Sequence, residues 1–441
     1  MYIPRTIDNE LLKWMSAVKR KPLLIRGARQ VGKTKTVRHF GTQFEHYIEV
    51  NFDADKNVCK IFNESQSPQE ICEVLSLYYK IPIEEGKSLL FLDEIQSCIP
   101  ALGSLRYFYE RMPGLHVIAA GSLLEFALEE LPSMGVGRIR SLFMYPLSFN
   151  EYLNAIGETK LLEKKKLASP QNTLHDILHE KLLKHLKKFM VLGGMPEVMS
   201  TFISTGDLLE CKQVLTDLII SFNDDFAKYK KRLSVSCLRE VFESSVMQSG
   251  TKFSYSKIEA GFSYYQIRES VRLLLMAGLI IPVVHSSANG LPLGAEANPK
   301  KRKLLVMDTG ILQLLQNLDM FEITMADDFS TINKGNMAEV FTGLELLKYK
   351  SSYEKASLFY WHREAKSSNA EVDYILAVNS SIYPVEVKAG TKGSMRSMFL
   401  FLKEKNQEKG IRVSMENFSS YDNIDVYPLY AIENITDMKT V

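Results

Sequence analysis

The stretch that decides the fold is Lys21-Pro-Leu-Leu-Ile-Arg-Gly-Ala-Arg-Gln-Val-Gly-Lys-Thr-Lys-Thr-Val-Arg38. Its apolar run, Leu23 to Ile25, predicts a buried strand, and a helical pattern follows the motif. Between them lies Gly-x-x-x-x-Gly-Lys-Thr, which in this setting predicts a phosphate-binding loop. Glycines at 27 and 32 let successive backbone amides point at one anion, and the next helix adds its positive N-terminus. A glycine-rich turn that binds nothing is the alternative interpretation.

Each residue of this loop has an expected role in binding a nucleotide. Lys33 is expected to reach the β- and γ-phosphates, and the Thr34 hydroxyl is expected to hold a magnesium ion. The loop predicted to surround the phosphates consists of Gly27, Ala28, Arg29, Gln30, Val31, Gly32, Lys33 and Thr34.

The composition describes a folded chain of several domains. At 441 residues the chain is too long for one ordinary core, and about 150 residues per domain gives two to four. Hydrophobic residues make up 46 % and charged residues 24 %, so each part has enough apolar sequence for a core. The net charge of +2 neither requires nor excludes nucleic acid, so such a partner has to be met by a local patch.

Cysteine usage and the apolar runs favour a cytoplasmic protein. The five cysteines have no paired spacing, so we expect reduced thiols and no zinc site. The N-terminal sequence lacks the basic and apolar segments of a secretory signal. The longest apolar run, Leu273 to Val284, is too short to span a bilayer, so no membrane partner is expected.

A second pair of candidate residues ends a later apolar strand. Strands are predicted at 46–52 and 88–94, with a helix at 68–80 between them, and this alternation predicts a parallel sheet. Ligands of such sheets bind beyond the carboxyl ends of the strands, where Asp93 and Glu94 lie. Asp93 is the candidate partner of magnesium, and Glu94 is the candidate base that orients the attacking water. The alternative is a strand that ends in acidic residues because it reaches solvent.

Two further polar positions follow the next apolar strand, at 116–122. Ser122 stands at the corresponding strand end and could sense the γ-phosphate. Arg138 is a candidate arginine finger that would act on the γ-phosphate of a neighbouring subunit, and Arg140 is a weaker one. A surface arginine is the alternative for both.

These motifs together resemble a prokaryotic AAA+ ATPase family whose members carry an additional C-terminal domain. The resemblance rests on Gly-Ala-Arg-Gln-Val-Gly-Lys-Thr, Leu-Phe-Leu-Asp-Glu-Ile-Gln-Ser, Ala-Gly-Ser-Leu-Leu, Gly-Arg and Tyr-Pro-Leu-Ser-Phe-Asn-Glu-Tyr, in that order. It implies a three-layer α/β domain that binds ATP and Mg²⁺, with Lys33, Thr34, Asp93 and Glu94 in the roles given above. It also implies Ser122 as the first sensor and is compatible with assembly into a homo-oligomeric ring.

The middle of the chain changes to helical sequence. Leucine-rich, lysine-rich stretches from 156 onward predict a helical bundle, which the resemblance identifies as a lid and its extension. From 237 to 315 the pattern predicts a winged helix, with wing strands at 279–284 and 303–307. The start of its third helix is expected in the major groove of double-stranded DNA, and the basic run 299–303 is expected at phosphates. A protein-docking module with a solvated basic loop is the alternative.

The last segment carries a second constellation of charged residues. Alternate residues of a strand share a face, so Glu386 and Lys388 are expected to point together, and a hairpin partner can bring Asp373 beside them. Carboxylates that bind a metal and a lysine that positions water are what magnesium-dependent phosphodiester cleavage requires. Asp followed by Glu-x-Lys resembles the restriction-endonuclease-type nuclease superfamily, in which Glu339 occupies the place of a helix glutamate. A surface hairpin with a charge pair is the alternative, and a nuclease-like fold does not by itself imply cleavage.

We therefore predict an α/β protein of four domains. They are a three-layer P-loop AAA+ core with a parallel sheet at 1–155, a helical lid at 156–235, a winged helix at 236–320, and a restriction-endonuclease-like α/β domain at 321–441. The predicted function is ATP hydrolysis with Mg²⁺ that drives conformational work on DNA or on a DNA-bound partner. The alternatives are a metal-dependent nuclease and a nucleotide-controlled module that binds DNA or protein.

Overall fold

A computed structural model describes residues 1–130, 137–229, 233–258, 261–318, 336–364, 369–390 and 393–436. The packing of the chain divides it into two compact units. Unit 1 comprises Met1–Pro146, Met276–Gly278 and Ser351–Lys355. Unit 2 comprises Leu147–Leu275, Leu279–Lys350 and Ala356–Val441.

Unit 1 alternates helices with strands along the chain. Its strands are β1 (Leu23–Arg26), β2 (His46–Asn51), β3 (Ser88–Asp93), β4 (His116–Ala120) and β5 (Arg140–Phe143). Its helices are α1 (Thr6–Met15), α2 (Lys33–Gly41), α3 (Cys59–Glu64), α4 (Pro68–Tyr79), α5 (Ile99–Arg111) and α6 (Leu124–Glu130), with 3₁₀ turns at Lys56–Val58 and Ile95–Ser97.

The strands of unit 1 form the N-terminal sheet, in the order β2-β3-β4-β1-β5. All its neighbouring strands run parallel. Every residue of β3 is buried, which explains why its sequence is a near-continuous apolar run: helices cover both faces of such a sheet. The carboxyl ends of β1, β3 and β4 therefore lie at one edge. The parallel α/β core predicted from the sequence is confirmed.

Unit 2 begins with helices and continues with a second sheet. Its helices are α7 (Phe149–Ala155), α8 (Thr159–Lys166), α9 (Asp176–Leu192), α10 (Pro196–Thr205), α11 (Leu208–Asp225), α12 (Val235–Met247), α13 (Tyr264–Met276), α14 (Thr309–Leu315), α15 (Asn336–Lys348), α16 (Arg396–Lys405) and α17 (Ile432–Thr436). Its strands are β6 (Ile280–Ser286), β7 (Ala297–Val306), β8 (Leu358–His362), β9 (Glu371–Val378), β10 (Ser381–Val387), β11 (Gly410–Ser414), β12 (Ser419–Tyr421) and β13 (Ile424–Pro428). Further 3₁₀ turns span Phe226–Tyr229, Tyr255–Lys257, Leu293–Glu296 and Leu429–Ala431.

The strands of unit 2 form the C-terminal sheet, in the order β12-β13-β11-β10-β9-β8-β6-β7. This sheet is mixed: β10 pairs antiparallel with β9 and parallel with β11, for example. The three helical segments expected before the wing are present as α12, the 3₁₀ turn at Tyr255–Lys257 and α13.

The two strands predicted to form a wing are part of this sheet instead. β6 and β7 do pair antiparallel, with Ile280 opposite Val306. However, β6 also pairs in parallel with β8, which places His285 opposite Tyr360. A pattern of local periodicity cannot predict this pairing, because it joins segments far apart in the sequence. The sheet thus runs across the proposed boundary at 320/321, and the four-domain division stays a prediction.

The expectation that all five cysteines are reduced is wrong for two of them. Cys59 and Cys98 form a disulfide between the starts of α3 and α5. The Cα atoms of the two cysteines lie 5.7 Å apart. Cys72, Cys211 and Cys237 are buried free thiols. The spacing of 39 residues between the bonded cysteines gave no sign of the pair, because only the fold brings them within disulfide reach.

Within the described ranges, none of the helices has the length and apolar character needed to cross a membrane.

Candidate functional sites

The loop after β1 has the backbone conformation that a phosphate site requires. Gly27, Gln30 and Gly32 all have positive φ angles, of 149°, 64° and 99°. A Cβ atom at Gly27 would lie 2.1 Å from the carbonyl oxygen of Met144, so the close approach as well as φ requires glycine there. Helix α2 starts at Lys33, directly after Gly32, so its N-terminus faces the loop.

Arg5, which the sequence analysis did not identify, forms hydrogen bonds that stabilise the loop. Arg5 donates one hydrogen bond to the carbonyl oxygen of Val31 at 3.1 Å and another to that of Tyr145 at 2.7 Å. Its side chain is buried, as is Val31 itself, whose side chain is fully inaccessible. No motif of the sequence indicated this role, because Arg5 lies directly before α1 and far from the loop along the chain.

Lys33 is a buried cation whose contacts are to neutral groups. Its ammonium donates to the carbonyl oxygens of Gly27 at 2.9 Å and Ala28 at 2.7 Å. Burial lowers the pKa of Lys33 to about 8, although Glu94 and Asp93 favour the charged form. An anion that entered the loop would therefore give this ammonium a counter-charge in direct contact, which the described residues do not supply.

Thr34 and Asp93 are in direct contact at the carboxyl edge of the N-terminal sheet. The Thr34 hydroxyl donates to the Asp93 carboxylate at 3.1 and 3.2 Å. Asn51, the last residue of β2, donates to the same carboxylate at 3.3 Å. Burial and then Glu94 raise the pKa of Asp93 to about 6. A hydroxyl and a carboxylate side by side fit the oxygen chemistry that Mg²⁺ prefers, so these residues could hold the ion.

Glu94 and Ser122 also meet at this edge. Glu94 has a left-handed backbone conformation with φ of 49°. Its carboxylate accepts hydrogen bonds from the Ser122 hydroxyl at 3.0 Å, from the Ser122 backbone N–H at 3.3 Å and from the Gln96 amide at 2.6 Å. The sequence did not indicate Gln96, although its position two residues after Glu94 was a usable signal. These donors fix the orientation of a carboxylate that could accept a proton.

The two candidate finger arginines have other contacts within unit 1. Arg138 forms an ion pair with Glu110, and 47 % of its side chain remains accessible. Arg140 lies in β5 with its guanidinium 5.3 Å from the ring centre of Tyr353. Gly135 and Val136, which precede Arg138 in the motif, lie outside the described residues. The finger role of Arg138 stays a prediction that requires a second subunit.

The predicted DNA-reading helix exposes part of its first turn. Tyr264 is 64 % accessible, and Arg268 is exposed. The backbone N–H of Ser263 donates to the Gln266 side chain at 2.8 Å, and the backbone N–H of Gln266 donates to the Ser263 hydroxyl at 3.2 Å. These two bonds cap the start of α13.

The basic run 299–303 is not a uniform phosphate-binding patch. Lys301 is paired with Glu364, and Arg302 donates to the hydroxyl of Tyr255. Lys303 is buried, with 1 % of its surface accessible. Lys300 is exposed and has no charged or aromatic partner among the described residues, so it stays available for a phosphate contact.

Lys303 lies among carboxylates of unit 2. Its ammonium is 2.7 Å from Glu339 in α15, 2.7 Å from Glu371 in β9 and 3.8 Å from Asp373, also in β9. Lys252 contacts the other oxygen of Glu371 at 2.8 Å. The sequence did not indicate this position of Lys303, because the residue belongs to the basic run that was expected at DNA phosphates. Glu371 was missed although it lies two residues before Asp373 on the same strand face.

The remaining predicted residues complete this group. Lys388 lies 2.7 Å from one oxygen of Glu386. The other oxygen of Glu386 is buried and has no hydrogen-bond partner among the described residues. Asp373 accepts a hydrogen bond from the backbone N–H of Val387 at 2.8 Å. We call the following six residues the carboxylate–lysine cluster: Lys303, Glu339, Glu371, Asp373, Glu386 and Lys388.

Charge balance in the carboxylate–lysine cluster differs from that around Lys33. Burial disfavours the ammonium of Lys303, but Glu339, Asp373 and Glu371 hold its pKa well above the ordinary value. Burial raises the pKa of Glu339 to about 8 and that of Glu386 to about 7, and it also raises the pKa of Asp373. The carboxylates suit a divalent metal, but Lys303 already occupies the space that they share. A metal ion bound by Glu339, Glu371 and Asp373 together would therefore have to displace this ammonium.

Family comparisons match three segments of the chain. Residues 19–153 match the family described as "AAA domain". Residues 183–322 match "Domain of unknown function (DUF8612)", and residues 334–432 match "Domain of unknown function (DUF4143)". No curated protein matches the chain.

Solved structures of low identity are similar over much of the chain. The Walker-type ATPase PABY2304 of Pyrococcus abyssi is 14 % identical with a TM-score of 0.47, over 71 % of this chain and 96 % of that one. The Orc1 protein of Aeropyrum pernix, solved in complex with DNA, is 14 % identical with a TM-score of 0.29, over 72 % and 94 %. These TM-scores are too low to assign a function to this chain from either structure. The match over residues 19–153 supports an ATP-binding ATPase of the P-loop AAA+ type in this part of the chain.

Proposed function

We propose that unit 1 hydrolyses ATP with Mg²⁺ and that hydrolysis drives conformational work on double-stranded DNA or on a DNA-bound partner. The observation that carries the hydrolytic part is the meeting of three elements at one edge of the N-terminal sheet. Lys33 lies in the loop after β1, Thr34 contacts Asp93 at the end of β3, and Glu94 contacts Ser122 after β4.

Each side chain has a role that follows from its contacts. The loop amides and Lys33 bind the phosphates, because Lys33 is a buried cation whose direct contacts among the described residues are neutral carbonyl oxygens. Thr34 and Asp93 would hold the Mg²⁺ ion, which neutralises phosphate charge when it is bound. Glu94 takes the proton of the attacking water, and Ser122 orients Glu94 and senses the γ-phosphate.

Two parts of the proposal concern partners. Arg138 completes the site of a neighbouring copy in a homo-oligomer, since its half-exposed guanidinium is held by a single described ion pair that could be exchanged. Double-stranded DNA binds at the start of α13, where Tyr264 and Arg268 are exposed. Within the run 299–303, only exposed residues such as Lys300 are proposed to contact DNA phosphates.

Phosphate release in the presence of Mg²⁺ and ATP tests this proposal. We expect release by the wild type, a large loss in Glu94→Gln with ATP binding retained, and a rise in the rate when duplex DNA is added. Release that is indifferent to DNA would leave the ATPase in place and point to a protein partner. Equal rates for the wild type and Glu94→Gln would overturn the assignment of the base.

Metal-dependent phosphodiester cleavage is a second candidate function, supported by the gathering of Glu339, Asp373, Glu386 and Lys388. The buried ammonium of Lys303 opposes it, because this group already pairs with Glu339 and lies 3.8 Å from Asp373. Incubation of supercoiled DNA with Mg²⁺ or Mn²⁺ tests the candidate. Nicking that disappears in Asp373→Asn would support cleavage, and intact DNA would leave the carboxylate–lysine cluster as a structural core of a DNA- or protein-binding module.

A further inference from the structure

Two histidines of the C-terminal sheet lie side by side at the paired strands β6 and β8. The ring centres of His285 and His362 are 4.9 Å apart, with an angle of 46° between the ring planes. His285 is buried, with 1 % of its surface accessible, and His362 is partly buried. The parallel register sets His285 opposite Tyr360, so His362 follows two residues later on the same face.

Backbone hydrogen bonds fix the tautomer of both rings. Nε2 of His285 lies 3.3 Å from the carbonyl oxygen of His362, and Nδ1 of His362 lies 2.8 Å from that of Arg363. A carbonyl oxygen can only accept, so each of these nitrogens carries the proton. The lone pairs therefore remain on Nδ1 of His285 and Nε2 of His362. Nδ1 of His285 is buried and has no hydrogen-bond partner among the described residues.

A carboxylate completes the group. Among the described residues, His285, His362 and Glu364 are the three side chains whose potential ligand atoms all lie within 4.8 Å of one another. Glu364 is 57 % accessible and pairs with Lys301, which is 42 % accessible, across 2.5 Å. Such an exposed ion pair contributes little stability and opposes an incoming cation only weakly.

We propose that His285, His362 and Glu364 bind a divalent first-row transition metal, and the ligand types favour Zn²⁺. Two neutral imidazoles and one carboxylate are a ligand set that suits Zn²⁺ and its neighbours rather than Mg²⁺. Each imidazole donates its other ring N–H to a backbone carbonyl, which is the outer contact that metal-binding histidines use. Three protein ligands would leave one position of a tetrahedral site open.

This site is distinct from the proposed magnesium site and from the carboxylate–lysine cluster. Thr34 and Asp93 offer oxygen ligands in unit 1, and the carboxylates around Lys303 are neutralised by its ammonium. Metal binding would fasten β6 to β8, the pair of strands through which the predicted wing joins the C-terminal sheet.

Zn²⁺ titration of the nucleotide-free chain, by calorimetry in a large excess of Mg²⁺, tests the proposal. We expect one Zn²⁺ per chain, and an affinity lowered by more than about tenfold in His362→Ala and in Glu364→Gln. These two positions are chosen because His285 is fully buried and its replacement could disturb the sheet. Co²⁺ in place of Zn²⁺ should give a visible absorption band in the wild type that both variants lose.

Two further variants separate a built site from general binding to histidine. His46→Ala removes a histidine of unit 1 that also lies beside a glutamate, Glu45, and it should leave the affinity unchanged. Lys301→Met frees Glu364 from its ion pair and should tighten binding by about two- to fivefold. Equal Zn²⁺ affinities for the wild type, His362→Ala and Glu364→Gln would overturn the proposal.

Discussion

Lys33 and Lys303 are both buried lysines, yet their surroundings are opposite. The ammonium of Lys33 contacts two carbonyl oxygens, and burial lowers its pKa to about 8. The ammonium of Lys303 contacts three carboxylates, and they hold its pKa well above the ordinary value. The first cation is prepared for an anion that comes from outside, whereas the second already has its counter-charges within the fold.

This difference separates a binding group from a structural one. Burying an ammonium whose direct contacts are neutral costs free energy that an anionic ligand can return, so such a residue is suited to binding. A buried ammonium with three carboxylates is needed by its partners, because without it their charges would be left uncompensated. We therefore expect changes at Lys33 to alter activity and changes at Lys303 to alter stability.

The largest expected effect is the loss of stability in Lys303→Met. The substitution leaves Glu339, Glu371 and Asp373 without their shared cation, which should cost about 3–5 kcal/mol in the free energy of unfolding. Urea unfolding followed by the fluorescence of Trp361, in β8, measures it in a Trp14→Phe background. Lys301→Met is the matched control, with an expected cost of about 0–1 kcal/mol. Equal losses in the free energy of unfolding for Lys303→Met and Lys301→Met would contradict a structural role specific to Lys303.

Lys33→Ala should mainly affect catalysis. Loss of a preorganised cation at the phosphates is expected to lower ATP hydrolysis by about 10²–10³-fold. Lys35→Ala, two residues later on the exposed face of α2, should hydrolyse ATP at the wild-type rate. Phosphate release measures both. A Lys33→Ala protein that kept the normal rate would remove the nucleotide site from our proposal.

The cost of Lys303→Met should depend on pH. Burial raises the pKa of Glu339 to about 8 and that of Glu386 to about 7, and removal of the ammonium raises the pKa of Glu339 further. A raised carboxyl pKa contributes stability that is present at low pH and is lost as pH rises through the folded-state value. Both proteins keep Glu339 protonated below about pH 8, so the difference from the wild type should widen above that value, by more than about 1 kcal/mol between pH 8 and pH 10. A constant difference would mean that Lys303 acts through packing alone.

The affinity for ATP should fall above pH 8. The pKa of Lys33 in the free protein is lowered to about 8, and bound phosphates favour the charged form, so binding takes up a proton at higher pH. The affinity should be constant from pH 7 to 8 and then decrease by at most about tenfold per pH unit. Titration with a fluorescent ATP analogue measures this dependence. Lys33→Arg, which stays charged, should show weaker but nearly pH-independent binding.

The sequence predicted those parts of the fold that depend on neighbouring residues. The phosphate loop, the apolar strand that ends at Asp93 and the strand before Ser122 are each contiguous, and parallel strands bring their ends to one edge. Alternation along β10 predicted that Glu386 and Lys388 share a face, and their side chains lie 2.7 Å apart. The catalytic roles of these residues stay predictions.

The sequence did not predict contacts that depend on distant pairing. Lys303 joins the carboxylates because β7 extends the C-terminal sheet through β6 and β8, and no local pattern specifies the order of strands. The disulfide between Cys59 and Cys98 depends in the same way on the approach of α3 to α5. Arg5 was missed because its hydrogen bonds go to backbone carbonyls, which every sequence offers.

The position of β7 has a consequence for synthesis of the chain. Lys303 leaves the ribosome before Glu339, Glu371 and Asp373, so the nascent β6–β7 hairpin carries an uncompensated charge on the face that is later buried. The edge of β6 that later receives β8 is unpaired during the same interval. Lys303 lies on β7, beside the strand with this edge, and its charge disfavours burial of the hairpin face against another chain. We therefore expect Lys303 to disfavour association of the nascent hairpin with other chains until its partners have been translated.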